Sequence, residues 1–231
     1  MRTAGIVSAF PAIVGPLLVF VAIEHGANAA ARNAEGTLLG LVGLAAFAAV
    51  YGRIALRGGW VASLFSGWAA AGLAGVAAAA AGTRVASPVG LLAASISLGL
   101  AYRSLATVRD DLVVMPVVST DQIGIPGRMA LTALIVVALA GAVGVLGPLV
   151  GGILAALPVL ASVLAVLAHR QAGAQAAVAL LRGTLAGMAG FVAFCEIVAL
   201  LVTRAPVVTV FAGATLAALL AQTPALRARH A

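Results

Sequence analysis

The chain has 231 residues, of which 64% are hydrophobic and only 8% are charged, and its formal net charge is +7. This leaves too little polar surface to cover a water-soluble globule, so the composition excludes the soluble classes and predicts a protein of the lipid bilayer. The small share of aromatic residues, 5%, disfavours an outer-membrane barrel with aromatic girdles. Together with abundant Ala and Gly, it predicts an all-α fold of closely packed helices.

Eight apolar runs follow one another along the chain, each of about 20 residues, the length that crosses the hydrocarbon core of a bilayer. The uncharged stretch 129–168 is too long for one span, so we place a tight hairpin in the segment that holds Gly144, Gly147, Pro148, Gly151 and Gly152, residue types that interrupt a helix. The result is a polytopic protein with transmembrane helices predicted at 4–23, 36–55, 59–81, 88–107, 129–147, 149–168, 183–203 and 206–222.

The arginines are distributed unevenly around these spans. With a cytoplasmic N-terminus, ten of the 13 basic residues lie on the cytoplasmic side and three, Arg32, Arg84 and Arg204, lie outside. Positive charge collects on the cytoplasmic side of membrane proteins, so we expect both termini in the cytoplasm and a multi-pass protein of the bacterial cytoplasmic (inner) membrane. The arginines are interpreted as anchors in the bilayer and not as nucleic-acid contacts. The predicted parts are a first membrane half at 1–107, a cytoplasmic linker loop at 108–127 and a second membrane half at 128–231.

An internal duplication links the two halves. Residues 11–61 align without a gap to residues 158–208, with 16 identities in 51 positions, where this composition gives about six by chance. The alignment pairs the first, second and third spans with the sixth, seventh and eighth. Because the shift of five spans is odd, each helix crosses the membrane in the direction opposite to its copy. The sequence therefore predicts two inverted-topology repeats, the architecture of many transporters.

Residues 129–222 contain Pro158 in an apolar run, His169 closing that run, and Arg182 with Thr184 before the span at 191–201. In these residues the segment resembles the GlpM family of small bacterial inner-membrane proteins. The resemblance implies a four-span unit with the same loop between its middle helices, and it implies no established activity. The first half departs from the pattern, since Ala22 stands where the histidine is expected and Glu35 replaces the arginine.

Glu196 is the sharpest candidate for a functional residue. It lies inside the seventh predicted span, where a carboxylate costs several kcal/mol unless it is paired, protonated or in a water-filled cavity. Two interpretations stay open with equal weight. Glu196 is either a proton or cation site, or a structural carboxyl bonded to a neighbouring helix.

Two matched pairs of residues are further candidates for a substrate or ion site. Pro11 and Pro158 occupy equivalent positions in the first and sixth spans, where each removes a helix hydrogen bond. Matched breaks of this kind frame midplane sites in transporters, and a purely structural kink is the equal alternative. Thr37 and Thr184 are expected to open the second and seventh spans, where an ordinary helix start is favoured over a site for an anion.

Matched polar segments at 24–35 and 169–182 are predicted to be loops on opposite sides of the membrane. His25 and His169 titrate near neutrality in principle, although a position at the membrane interface is the favoured interpretation. Arg182 closes the second segment and completes the candidate set. The glycines that follow these segments are predicted to mediate close helix packing and are Gly36, Gly40, Gly43, Gly183, Gly187 and Gly190.

The function predicted from these features is an inner-membrane transporter or permease for an unknown small molecule or ion, working by alternating access about a midplane site between the repeats. A noncatalytic membrane scaffold or accessory subunit is the alternative. No pattern of an enzyme, a metal site or a cofactor site is present in the sequence. The expected partners are the lipid bilayer and the transported solute, and the architecture is compatible with a homo-oligomer.

Overall fold

The computed structural model describes residues 14–82, 87–106, 141 and 145–227. Within these residues the protein is 89% helical and has no strand, which confirms the all-α fold class. The principal helices are α1 (Val14–Glu24), α2 (Ala27–Ala55), α3 (Trp60–Gly82), α4 (Ser87–Ser104), α5 (Pro148–Ala155), α6 (Val159–Ala172), α7 (Ala174–Leu201) and α8 (Val207–Arg227).

Among the described residues, four segments are long and apolar enough to cross a membrane: Ala27–Ala55, Trp60–Ala80, Pro148–Ala172 and Ala174–Leu201. Three shorter apolar helices accompany them. Large apolar side chains point away from the protein, for example Phe65, Leu73 and Val76 on α3, which are 72%, 75% and 71% exposed. An outward apolar surface of this kind suits lipid, so the structure is consistent with a membrane protein. The predicted fifth span and the linker loop lie almost wholly outside the described residues.

Helix α2 is the centre of the bundle and packs against α1, α3, α4, α5 and α7. Its central position follows from its small residues, because glycines let the neighbouring backbones approach closely. Gly43, for example, faces the carbonyl oxygen of Ala71 on α3. The largest side chains of the core, Tyr51 and Phe47 from α2 and Phe194 from α7, are at most 2% exposed.

Two ends of the bundle are defined by the contacts that α2 makes. Near its last turn, the Tyr51 hydroxyl lies 3.3 Å from Nδ1 of His169, which is close to the end of α6. Near its first turns, the backbone of Asn33 contacts Gly152 in the middle of α5, and further along α2, Gly36 and then Gly40 contact Leu149 and then Ala156 of the same segment. We call these the Tyr51 end and the Asn33 end. Helices α2, α5 and α6 therefore all run from the Asn33 end to the Tyr51 end.

The remaining helices alternate in direction. Trp60 at the start of α3 lies under Arg170 of α6, so α3 begins at the Tyr51 end and runs towards the Asn33 end. Helix α4 follows α3 and returns to the Tyr51 end, so it has the direction of α2. Arg182 in the first half of α7 lies over Tyr102 near the end of α4, so α7 begins at the Tyr51 end and has the direction of α3. Helix α8 follows α7 after a short turn and packs back against it. Each of α1, α2 and α3 thus runs opposite to α6, α7 and α8, respectively.

The prediction of two polar loops at 24–35 and 169–182 is wrong. Helices α2 and α7 begin already at Ala27 and Ala174, and each connection to the preceding helix is a tight turn at one glycine. Gly26 and Gly173 have φ angles of 85° and 86°, a conformation that side chains with a Cβ rarely adopt. The Ala-rich segments that follow these glycines are helical from their first residues, since alanine is the strongest helix former.

Candidate functional site

The sixth predicted span is a broken helix. The segment from Pro148 to Ala172 forms α5 and α6, which are separated at Pro158. Proline has no backbone N–H, and here it has φ −77° and ψ 41° and caps α6. The N–H of Val159 turns back to the carbonyl of Leu157 at 2.8 Å, so the regular helical ladder is interrupted at this point. Its predicted counterpart Pro11 lies outside the described residues.

The break lies beside the middle of α2. A Cβ added at Gly40 would lie 2.7 Å from both the carbonyl oxygen of Ile153 and the Cβ of Ala156, so only glycine fits there. A Cβ at Gly36 would lie even closer to the backbone of Leu149. The half-helix α5 therefore rests backbone to backbone on a strip of α2 glycines, and the predicted close packing is observed at Gly36 and Gly40. It is not observed at Gly183, where a Cβ would meet nothing within 4 Å.

A buried polar group lies under α5 at the Asn33 end. Asn33 and Thr37 are both 0% exposed, and the Thr37 hydroxyl donates to the Asn33 carbonyl at 2.9 Å. Both polar atoms of the Asn33 side chain, Nδ2 and Oδ1, are without a hydrogen-bond partner among the described residues. Sequence reasoning missed Asn33 because it lies in the segment predicted to be a loop, and its duplicate position is Leu180.

Thr37 and Thr184 do not open their helices, so the interpretation of either as the start of a span is corrected. Each lies ten residues inside its helix, where its backbone N–H is within the helical ladder and does not face an anion. Each hydroxyl donates to a carbonyl one turn earlier, for Thr184 to Leu180 at 3.0 Å. Because α2 and α7 run in opposite directions, each threonine lies about 15 Å along its helix from a different end of the bundle.

A polar pair joins the two halves at the Tyr51 end. Tyr51, 0% exposed, meets the half-buried His169 through the 3.3 Å contact of its hydroxyl with Nδ1, in which either group donates depending on the tautomer. The rings of Tyr51 and Phe47 are 5.5 Å apart, which fixes the phenol in the core. His169 was a predicted candidate, whereas no pattern in the sequence singled out Tyr51. His25, the other candidate histidine, is exposed at the Asn33 end.

Arg182 and Arg170 lie over aromatic rings near the Tyr51 end. The guanidinium of Arg182 is 4.7 Å from the ring centre of Tyr102, and that of Arg170 is 5.5 Å from the ring of Trp60. Both distances allow cation–π attraction. These contacts connect α7 to α4 and α6 to α3.

Glu196 is half-buried on α7, five residues before the helix ends, and it follows the fully buried Cys195. It is 14 residues from Arg182 on the same helix, a separation of about 21 Å at 1.5 Å per residue. These two predicted candidates therefore lie towards opposite ends of the bundle. Within the described parts of the chain, no group of three His, Cys, Asp or Glu side chains is placed to hold a metal ion.

No family model, curated protein or solved structure matches this chain. The resemblance of the second half to the GlpM family stays a prediction. The features of the molecule that bear on its function are the broken helix, the glycine strip and the buried polar groups.

Proposed function

We propose that the protein is an inner-membrane transporter or permease for a small solute, with eight spans in two inverted-topology repeats, and that it works by alternating access about the break between α5 and α6. The observation that carries the proposal is the helix interrupted at Pro158 beside the middle of the central helix. Discontinuous helices that meet near the midplane form the substrate sites of many transporters, because unwound backbone is tolerated only where it lines a site or is buried in protein.

Matched positions in the two halves support the repeat. Helices α2 and α7 begin 147 residues apart, and so do α3 and α8, each at the offset of the sequence alignment. Gly26 and Gly173 share nearly the same φ angle. Phe47 and Phe194, also at this offset, are both buried in the core. The opposite directions of the paired helices are those of an inverted repeat.

The packing between helices supports the same relation. Helix α1 packs against α2 as α6 packs against α7, and α2 packs against α3 as α7 packs against α8. The cross-contacts are paired too, since α3 touches α6 and α8 touches α1. Helices α2 and α7 are equivalent in the two halves and contact each other, so a two-fold axis that exchanges the halves would pass through their contact.

The charges support an orientation with the Tyr51 end in the cytoplasm. Among the described side chains, five arginines belong to that end and two, Arg32 and Arg204, to the Asn33 end. This follows the positive-inside rule. The three described glutamates, Glu24, Glu35 and Glu196, belong to the Asn33 half of the bundle. The arginines of the Tyr51 end are Arg53, Arg57, Arg103, Arg170 and Arg182.

The glycine contact gives α5 a way to move. Side chains that interdigitate resist sliding, whereas the strip formed by Gly36, Gly40 and Gly152 presents smooth backbone surfaces to each other. The break at Pro158 separates α5 from α6, so α5 is free to tilt without moving α6. Movement of α5 away from α2 would open the bundle at the Asn33 end.

Transport by purified protein in proteoliposomes tests the proposal. Solid-supported-membrane electrophysiology detects charged solutes, and stopped-flow light scattering detects neutral ones. We expect flux above empty liposomes for at least one solute class. If Glu196 couples protons to transport, Glu196→Gln abolishes the pH dependence of that flux and leaves expression intact, whereas the exposed Glu24→Gln has no effect.

A noncatalytic scaffold is the second candidate, and it is favoured by the packing between the halves. The centre of the bundle is an apolar core in this conformation, formed by buried side chains such as Phe47, Phe194 and Leu181. A folded protein that moves no solute by either method, and in which Glu196→Gln is tolerated and Glu196→Leu lowers stability, would contradict the transporter and favour the scaffold.

A further inference from the structure

The side-chain amide of Asn33 is buried without the hydrogen bonds that such a group normally makes. It offers two donor hydrogens on Nδ2 and an acceptor on Oδ1, and neither atom has a partner among the described residues. Buried polar side chains are bonded in the large majority of cases, since an unpaired one loses its interactions with water and gains nothing in return. Among the described residues, the amide therefore keeps unused capacity for both a donated and an accepted hydrogen bond.

Asn33 belongs to the face of α2 that α5 covers. Residues three, four and seven positions apart share one side of a helix, which places Asn33 with Gly36, Thr37 and Gly40. The glycines of this face contact α5, and Gly152 of α5 lies directly on the Asn33 and Thr37 backbone. Moving α5 away would uncover the amide and the Thr37 hydroxyl together.

The surroundings of Asn33 select against a charged ligand. The buried polar residues of the described chain, Asn33, Thr37, Ser63 and Ser162, are all uncharged. Arg32 is exposed, and Glu35 is two residues from Asn33, which turns it about 200° around the helix. An ion held under α5 would lack a counter-charge, and burying it would be costly.

We propose that Asn33 and Thr37 form a binding site for a small uncharged molecule that carries both a hydrogen-bond donor and an acceptor, such as a carboxamide, a urea or a polyol, and that α5 is the gate over this site. The inference rests on the proposed transport function and names the substrate class. The amide of Asn33 donates to the ligand through Nδ2 and accepts through Oδ1. The Thr37 hydroxyl, whose proton is used by the Asn33 carbonyl, contributes an acceptor.

Osmotic swelling of proteoliposomes tests the site with acetamide, urea and glycerol as probes. We expect the wild-type protein to pass at least one of them. Asn33→Leu removes the amide and should lower that flux about tenfold or more, as expected when the hydrogen bonds that select a polar ligand are lost. Its unfolding temperature should stay level or rise, because an unpaired polar group is removed. Asn28→Leu, an exposed position on the same helix, is the matched control and should change neither quantity.

Several results would overturn the proposal. They are an Asn33→Leu flux equal to wild type, a lowered unfolding temperature that marks a structural amide, and a wild-type protein that passes water alone. If currents of ions appear without flux of any neutral probe, this inference fails and the transporter stands. If no solute moves by either method, both this inference and the proposed transport function are refuted.

A second experiment tests the gate without a substrate. A Cβ at Gly152 would collide with the backbone of Asn33, so Gly152→Ala should push α5 off the site. In a Cys195→Ala background, we expect Asn33→Cys to react faster with a membrane-impermeant thiol reagent when Gly152→Ala is added. Gly72→Ala is the control, because a Cβ there meets nothing within 4 Å. Equal reaction rates for the two alanine variants would refute a gate at α5.

Discussion

The glycine strip between α2 and α5 makes a quantitative prediction at Gly40. A Cβ at this position would lie 2.7 Å from the Ile153 carbonyl oxygen and from the Ala156 Cβ, whereas ordinary contacts begin at 3.4 Å. The half-helix would have to retreat by about 0.7 Å, the difference between these distances. Because both obstructing atoms belong to or lie next to the backbone, no side-chain rotation relieves the collision. We expect Gly40→Ala to destabilise the protein by about 1–3 kcal/mol, the usual cost of overpacking a well-packed site.

Gly72→Ala is the matched control on α3. It adds the same methyl group in the interior of a helix, and a Cβ at Gly72 has open space. This variant should be neutral or more stable by up to about 1 kcal/mol, because alanine favours the helix over glycine. Unfolding by SDS titration in mixed micelles, followed by tryptophan fluorescence, measures both variants. Equal stabilities of Gly40→Ala and Gly72→Ala would refute the close contact between α2 and α5.

Three further predictions concern topology, the polar pair and the helix break. Asn28 and Gln175 are equivalent in the two repeats, so a cysteine at Asn28 should react only from outside the cell and one at Gln175 only from the cytoplasm; labelling from one common side would contradict the inversion. Tyr51→Phe should lower the free energy of unfolding by about 0.5–1.5 kcal/mol through loss of the bond to His169. In a double-mutant cycle, His169→Ala should destabilise the wild-type protein more than it destabilises the Tyr51→Phe variant. Pro158→Ala should permit a continuous helix and reduce solute flux without lowering the unfolding temperature; undiminished flux would show that the break has no part in transport.

Composition and apolar runs were sufficient to predict the helical fold, because a chain with so few charges has few ways to satisfy its backbone except helices in a bilayer. They also anticipated a helix beginning near Gly147, which has φ 84° and precedes α5; the fifth span, which would complete the predicted hairpin, lies outside the described residues. They failed at the starts of α2 and α7, since the polar residues between Gly26 and Gly36 suggested a loop. These segments are helical because they are rich in alanine, a preference for helix that hydropathy does not measure.

The candidate site was less predictable than the fold. Proline chemistry alone was enough to expect an interruption at Pro158. Asn33 and Tyr51 escaped notice because their importance depends on which helix covers them, and apolar periodicity does not specify the neighbour of a face in a bundle. The signal available for Asn33 was its place in helical register with Gly36 and Gly40, two residues that were themselves recognised as a packing strip.

The central claim is that the bundle opens by separation of α5 from α2, and reversible cross-linking tests it most directly. Leu39 of α2, Ile153 of α5 and Ala78 of α3 pack in one small cluster, which offers a matched pair of bridges. In a Cys195→Ala background, the pair Leu39→Cys with Ile153→Cys should stop solute flux into proteoliposomes when bridged by a short thiol cross-linker with a cleavable disulfide, and reduction should restore it. The pair Leu39→Cys with Ala78→Cys lies within one repeat and should transport at the same rate bridged or reduced. Flux that continues with α5 bridged to α2 would contradict the account.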